Sequence, residues 1–116
     1  MRRGDIVTVS LAGDFGKPRP ALVLQADAFE AIGSVTLVPM TSQLQDAPLI
    51  RISVSPTVGN GLRVPSQVMA DKLITAPRAR IGEVIGSLEP EILALVETAV
   101  GRFLGLAAPR NALSRI

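Results

Sequence analysis

The amino-acid sequence predicts a mainly β domain of the α+β class, a small antiparallel barrel-like sheet with one C-terminal helix packed on it. Three observations predict it. Short runs rich in Val, Ile and Thr recur between Gly- and Pro-bearing stretches over most of the chain, the pattern of strands joined by turns. From Ser87 onward the apolar spacing changes to that of a helix, so the helix follows the strands and does not alternate with them. The 116 residues hold no internal repeat and no linker-like stretch, and that length supports one modest core. One domain is therefore expected over residues 1–106, with a tail over 107–116 (APRNALSRI opens at Ala108) that lacks a partner pattern and is expected to fray.

The elements follow in order. Asp5 to Leu11 (DIVTVSL) is β-branched and partly alternating, a strand. Ala12 to Pro18 (AGDFGKP) is a loop by its glycines and proline. Arg19 to Gln25 is a nearly continuous apolar run, the mark of a buried strand. Ala26 to Gly33 reads as a helical turn, and Ser34 to Pro39 as a third strand, before the polar loop Thr41 to Pro48. Leu49 to Ser55 alternates with a period of two, which sets Ile50, Ile52 and Val54 on one face. Pro56 to Gly61 ends in Asn60-Gly61, a strong turn pair. Leu62 to Pro65 and Gln67 to Leu73 continue the strand pattern, Ala76 to Ala79 reads as a turn or short helix around Pro77, and Ile81 to Leu88 holds another short strand. In Ser87 to Leu106 the apolar residues Ile92, Val96, Ala99 and Phe103 keep helical spacing. Ser87 is the expected N-cap, Pro90 fits the first turn, Glu89 and Glu91 suit the positive end of the dipole, and Gly105 can close the helix.

Composition removes several chemistries. Hydrophobic residues make up 47% of the chain and aromatic residues 3%, so the core must be aliphatic. There is no cysteine and no histidine. This excludes a disulfide framework, a thiolate metal site, a histidine ligand or general base, and a Ser-His-Asp triad. Acid–base work falls to Arg, Lys, Asp, Glu or a hydroxyl, and no metal or cofactor is expected. A net charge of +2 permits a polyanionic partner without requiring one. No apolar run reaches membrane-spanning length, and Gly4-Asp5 interrupts the start (MRRGDIVTV) where a signal peptide would need an apolar segment. A soluble, cytoplasmic protein with no membrane partner is expected.

Arg19 stands between Pro18 and Pro20 at the mouth of a strand. Each proline fixes its own φ and presses the preceding residue into extended geometry, so Lys17 and Arg19 are both held extended. Two roles stay open at this level: an edge arginine that blunts aggregation, or a fixed guanidinium for a phosphate. Thr41 and Ser42 follow a strand and can bond an anion, although such hydroxyls more often shape turns. Asp71 and Lys72 interrupt an apolar run (VMADKLI), by default as a solvated pair on a strand's outer face. If Arg19, Thr41 and Asp71 converged, a cation, a hydroxyl and a carboxylate around one phosphate would suit metal-free phosphodiester cleavage. The Ala12–Pro18 loop, with Gly13, Gly16 and Lys17, is either a basic flap over substrate or a plain hairpin loop. No P-loop pattern occurs.

In this order and spacing, the segments Arg3-Gly4-Asp5-Ile6-Val7, Arg19-Pro20-Ala21-Leu22-Val23-Leu24, Val38-Pro39-Met40-Thr41-Ser42, Ser66-Gln67-Val68-Met69-Ala70-Asp71-Lys72-Leu73 and Ile85-Gly86-Ser87-Leu88 resemble the MazF/PemK family of toxins from bacterial toxin–antitoxin modules. The resemblance covers about Arg2 to Leu106. It implies a small SH3-like barrel with a C-terminal helix, a homodimer, and a metal-independent endoribonuclease that cuts single-stranded RNA, including mRNA, at short sequences. It implies attack of a ribose 2′-hydroxyl on the adjacent phosphate, with Arg19 as the catalytic arginine and Thr41 as the hydroxyl that holds the phosphate. Lys17, Ser42, Ser66, Asp71 and Lys72 would support or contact the RNA, and a cognate antitoxin of the MazE/PemI kind would target the first loop. The chain departs from the family pattern in three places: the first loop has no histidine, Asp71 is followed by Lys72 where many members carry Gln, and Met69 stands where some place an arginine. The PemK-style Arg–Asp catalytic pair is thus not preserved, and the resemblance favours the Arg19/Thr41 pair. The alternatives are a CcdB-like gyrase poison of the same fold, which would need a tryptophan near the chain end that is missing here, and an inactive homologue that only binds an antitoxin.

Overall fold

The computed structural model describes residues 1–11 and 17–106. The expected flap, apart from Lys17 and Pro18, and the expected fraying of the 107–116 tail lie outside the described residues. Seven strands form: β1 (Asp5–Val9), β2 (Arg19–Val23), β3 (Ser34–Thr41), β4 (Arg51–Val54), β5 (Ser66–Met69), β6 (Ile74–Pro77) and β7 (Ile81–Ser87), followed by one helix, α1 (Pro90–Phe103). All pairings are antiparallel, in the order β4-β5-β3-β2-β1-β7, with β6 also on β3.

Strand β3 is shared. Its first half pairs with β6 (Ser34↔Pro77 to Leu37↔Ile74), and its last two residues pair with β5 (Met40↔Val68, Thr41↔Gln67). The group β6-β3-β2-β1-β7 has β6 and β7 at its two margins, yet one 3-10 turn, Arg78–Arg80, joins them. A flat sheet would part those margins by about 19 Å, and three residues of 3-10 helix rise only about 6 Å. The group must therefore curl, which gives the barrel-like form expected.

Alternation along β1, β2 and β3 feeds two cores. Ile6, Leu22 and Val38 are register partners, and with Met40, Val54 and Val68 they pack beneath Val96, Ala99 and Val100 of α1. The opposite face carries Val7, Val9, Ala21, Val23, Val35 and Leu37, which close on Ala76 inside the curl. Strands buried on both faces need apolar residues at nearly every position, hence the continuous run after Arg19.

Two expectations are corrected. Ile74–Pro77 is a strand, where a turn or short helix was expected from Ala76 on: the proline comes last in β6, where it removes no interior ladder donor, and the short helix follows it as the 3-10 turn Arg78–Arg80. The helix starts at Pro90 with Glu89 as N-cap, not at Ser87. Ser87 ends β7 instead, and its hydroxyl donates to Asp5 Oδ1 at 3.0 Å. Gly105 closes the helix as expected, with φ +73° and Leu106 N–H donating to the Gly101 carbonyl at 2.9 Å. No helix among the described residues is long and apolar enough to cross a membrane.

Candidate active site

Strand register brings Arg19 and Thr41 together. Arg19 opens β2 and is paired with Val9 of β1. The β2–β3 ladder runs Val23↔Leu37, Leu22↔Val38, Ala21↔Pro39; Arg19 and Thr41 each lie two residues beyond its last pair, at the same end of neighbouring strands. Thr41 is in turn paired with Gln67 of β5, and Gln67 with Ser53 of β4. Two short rows thus form, Val9–Arg19 on one side and Thr41–Gln67–Ser53 on the other. Thr41 is the last residue of β3, not part of the loop that follows, so the ladder fixes its backbone.

The side chains in these two rows divide by burial. Arg19 is exposed and has no ion pair or hydrogen bond among the described residues. Thr41 is half-buried, and its hydroxyl oxygen accepts from Gln43 N–H at 3.0 Å, which leaves its proton to donate. Gln67 is buried and clasps the next loop with both ends of its amide: Oε1 accepts from Gln45 N–H and Nε2 donates to the Gln45 carbonyl, each at 3.0 Å. The backbone after Thr41 is therefore tied down on both sides of Ser42, which is itself exposed. This arrangement offers a planar cation and a hydroxyl donor at one spot on a rigid ladder. Both complement the charge of a phosphate and the extra negative charge of a phosphorane.

The other predicted residues fall in different places. Lys17 is exposed just ahead of Arg19. Ser66 is buried, and its hydroxyl donates to the Val64 carbonyl at 2.9 Å, so its bond serves the chain's own backbone. Asp71 lies in the turn after β5 and has no bond to Arg19 or Thr41. It is not the solvated strand-face pair of the default expectation. One oxygen is paired with Nη1 of Arg51, and the other lies 3.3 Å from Lys72 Nζ. The Arg51 side chain is 6% exposed and that of Asp71 16%. Burial works to raise the Asp71 pKa, but the hydrogen bonds from Arg51 and Lys72 outweigh it and hold the carboxyl below its ordinary value.

Arg51 escaped the sequence reading. It opens β4 in register with Met69, the position where some family members carry the arginine. Asp71 thus has an arginine partner, supplied by the neighbouring strand. The only sequence signal was a charged residue inside an alternating apolar run, and such a residue normally faces water. Arg51 Nη1 also donates to the Ile50 carbonyl at 3.2 Å, while its Nε is buried without a partner.

The family model for PemK-like, MazF-like toxins of type II toxin–antitoxin systems matches residues 2–104. A protein of Mycolicibacterium smegmatis described as a probable endoribonuclease MazF is 44% identical over 108 residues, 92% of this chain and 99% of that protein. The Mycobacterium tuberculosis toxin MazF-mt6 superposes with a TM-score of 0.77 at 27% identity, covering 90% of this chain and 99% of that one. MazF in a MazE–MazF complex from Deinococcus radiodurans superposes with a TM-score of 0.76 at 27% identity, covering 92% and 97%.

Proposed function

This chain belongs to the PemK-like, MazF-like family of toxins of type II toxin–antitoxin systems, and on that premise we propose that it is an endoribonuclease that cuts single-stranded RNA at a site built around Arg19 and Thr41. The observation that carries the site is the placing of two groups at the same end of neighbouring strands: an exposed guanidinium on β2 with no partner among the described residues, and a hydroxyl with a free proton on β3. The reaction is attack of a ribose 2′-oxygen on the adjacent phosphorus. The 2′-hydroxyl proton goes to a base, the bond to the 5′-oxygen breaks, and that oxygen takes up a proton. The products are a 2′,3′-cyclic phosphate and a 5′-hydroxyl.

Two of the non-bridging oxygens gain charge in the phosphorane. Arg19 meets them with parallel N–H donors, and Thr41 adds a third donor from the opposite strand. Because both backbones are fixed before RNA arrives, little reorganisation opposes the step. The antitoxin partner follows from family membership, and the activity belongs in the cytoplasm, where mRNA is translated. The gyrase-poison alternative is not retained, since the family match is to the RNA-cleaving toxins.

The test is incubation of the purified protein with a long single-stranded RNA in EDTA, beside Arg19→Ala, with fragment ends mapped. Cuts at a short repeated sequence, with 2′,3′-cyclic phosphate ends, are expected from wild type. The alanine variant should cut about 10²–10³-fold more slowly, the cost of losing one preorganised donor group. Wild-type rates in a folded Arg19→Ala protein would remove Arg19 from the site. Failure of folded wild type to cut any of several RNAs would overturn the activity.

A further inference from the structure

The cations of this protein are not distributed evenly between paired and free. Arg2 pairs with Asp27, Arg3 with Glu97, and Arg51 and Lys72 both with Asp71. Arg78 and Arg80 donate to backbone carbonyls. Among the described residues, Lys17, Arg19, Arg63 and Arg102 are left with neither an ion pair nor a hydrogen bond. Lys17 and Arg19 belong to the site already described, and Arg102 lies on α1. Arg63 is on the β4–β5 connection, four residues before Gln67, the register partner of Thr41. Four residues of chain span at most about 14 Å, so Arg63 stays within that distance of the Thr41 row.

The backbone on either side of Arg63 is anchored by buried polar groups. On one side Asn60, fully buried, accepts the Leu62 N–H at 3.0 Å and the Thr57 N–H at 3.0 Å on its Oδ1. Its Nδ2 donates to the Ser55 carbonyl at 2.9 Å. On the other side the buried Ser66 hydroxyl holds the Val64 carbonyl. Gly61, at φ +71°, is pressed so closely on the Ile85 carbonyl that a Cβ there would lie 2.0 Å from the oxygen. Burying an amide and a hydroxyl carries a desolvation cost that only good hydrogen bonds offset. Here two such groups bracket a single exposed arginine that has no partner among the described residues, much as Pro18 and Pro20 bracket Arg19.

We propose that Arg63 is a further RNA-binding residue, contacting a backbone phosphate away from the scissile one and extending the bound strand from the Arg19 and Thr41 site across the β4–β5 connection. This rests on the endoribonuclease reading. It gives Ser66 a positioning role toward Arg63 in place of direct contact with RNA. A single exposed guanidinium aimed at a phosphate adds affinity without sequence preference, and it adds to the salt dependence of binding.

The experiment is equilibrium binding of a fluorescently labelled, 2′-O-methylated copy of the RNA used for cleavage, in EDTA, over a range of KCl concentrations. Wild type, Arg63→Ala, Arg63→Lys and Arg102→Ala are compared, with thermal unfolding of each as the check on folding. Arg63→Ala is expected to bind more weakly and to lower the slope of log K against log salt by about 0.7, the value for one lost phosphate contact on a single strand. Arg63→Lys should keep the slope, and Arg102→Ala should match wild type. A wild-type slope in Arg63→Ala, with wild type itself binding and cutting, overturns this proposal alone. An equal loss in Arg102→Ala also overturns it, since the effect would then be one of net charge. No binding or cutting by folded wild type overturns the endoribonuclease reading together with it.

Discussion

Pro18 and Pro20 remove two backbone donors to hold one arginine extended, and Thr41 ends the neighbouring strand close by. Arg19 was legible as an extended residue at a strand mouth because proline acts locally, whereas Thr41 was read as loop because the pairing with Gln67 that keeps it in β3 is nonlocal. Their chemistry separates under substitution. Arg19→Lys keeps the charge and loses the planar fork, so it is expected to retain binding of the 2′-O-methylated RNA while cutting far more slowly than wild type; equal cutting rates would reduce Arg19 to a point charge. Arg51 shows what the sequence withheld. Its partner Asp71 is twenty residues away, and the two meet only because β4 and β5 pair in the register Arg51↔Met69. A residue list carries no register. Replacing one member of a buried ion pair leaves the other charge uncompensated, so Arg51→Met is expected to cost about 3 kcal/mol of unfolding free energy in urea. A loss below 0.5 kcal/mol, typical of surface substitutions, would show the pair to be solvated.

At the scale of elements, the long periodic segments were readable and the nonlocal ones were not. The helix showed through its spacing, since Ile92, Val96, Ala99 and Phe103 recur on one side whatever the rest of the fold does. Its start was misjudged because Ser87 is a good cap by type, yet it is held in β7 by β1. Strand β6 was missed for a related reason. Its four residues gain their order from pairing with Ser34–Leu37 of β3, about forty residues earlier. The Asn60-Gly61 pair was legible as a turn but not as an anchor. In the fold that turn packs against β7: the Ser87 N–H donates to the Gly59 carbonyl at 2.9 Å, and a Cβ on Gly61 would meet the Ile85 carbonyl. Gly61→Ala combines that collision with a left-handed φ, and it is expected to lower the thermal midpoint by several degrees, the equivalent of roughly 1–3 kcal/mol. An unchanged midpoint would mean that the loop shifts freely off β7.

For the molecule as a whole, two carboxylates join distant parts of the chain and are held more acidic than usual. Asp71 ties the turn after β5 to the start of β4 through Arg51. Glu89 ties the start of α1 to the β4–β5 connection: it accepts the Thr57 hydroxyl at 2.8 Å and the Asn60 amide at 3.4 Å, and these bonds, Thr57's first, lower its pKa. A carboxyl with a depressed folded value adds stability that is fully present above its unfolded value and is lost as pH falls through the folded one. The ordinary values are 3.8 for Asp71 and 4.5 for Glu89, so the fold is expected to be insensitive to these groups at neutral pH and to weaken below about pH 4.5. Glu89→Gln retains an acceptor for Thr57 but removes the titration. Its urea midpoint should therefore fall less than that of wild type between pH 5 and pH 3, while the two stay roughly parallel from pH 6 to pH 8. Parallel curves over the acid range would show that the helix start is held without the charge on Glu89. The joint between α1 and the loop that carries Arg63 would then rest on Asn60 and the backbone alone.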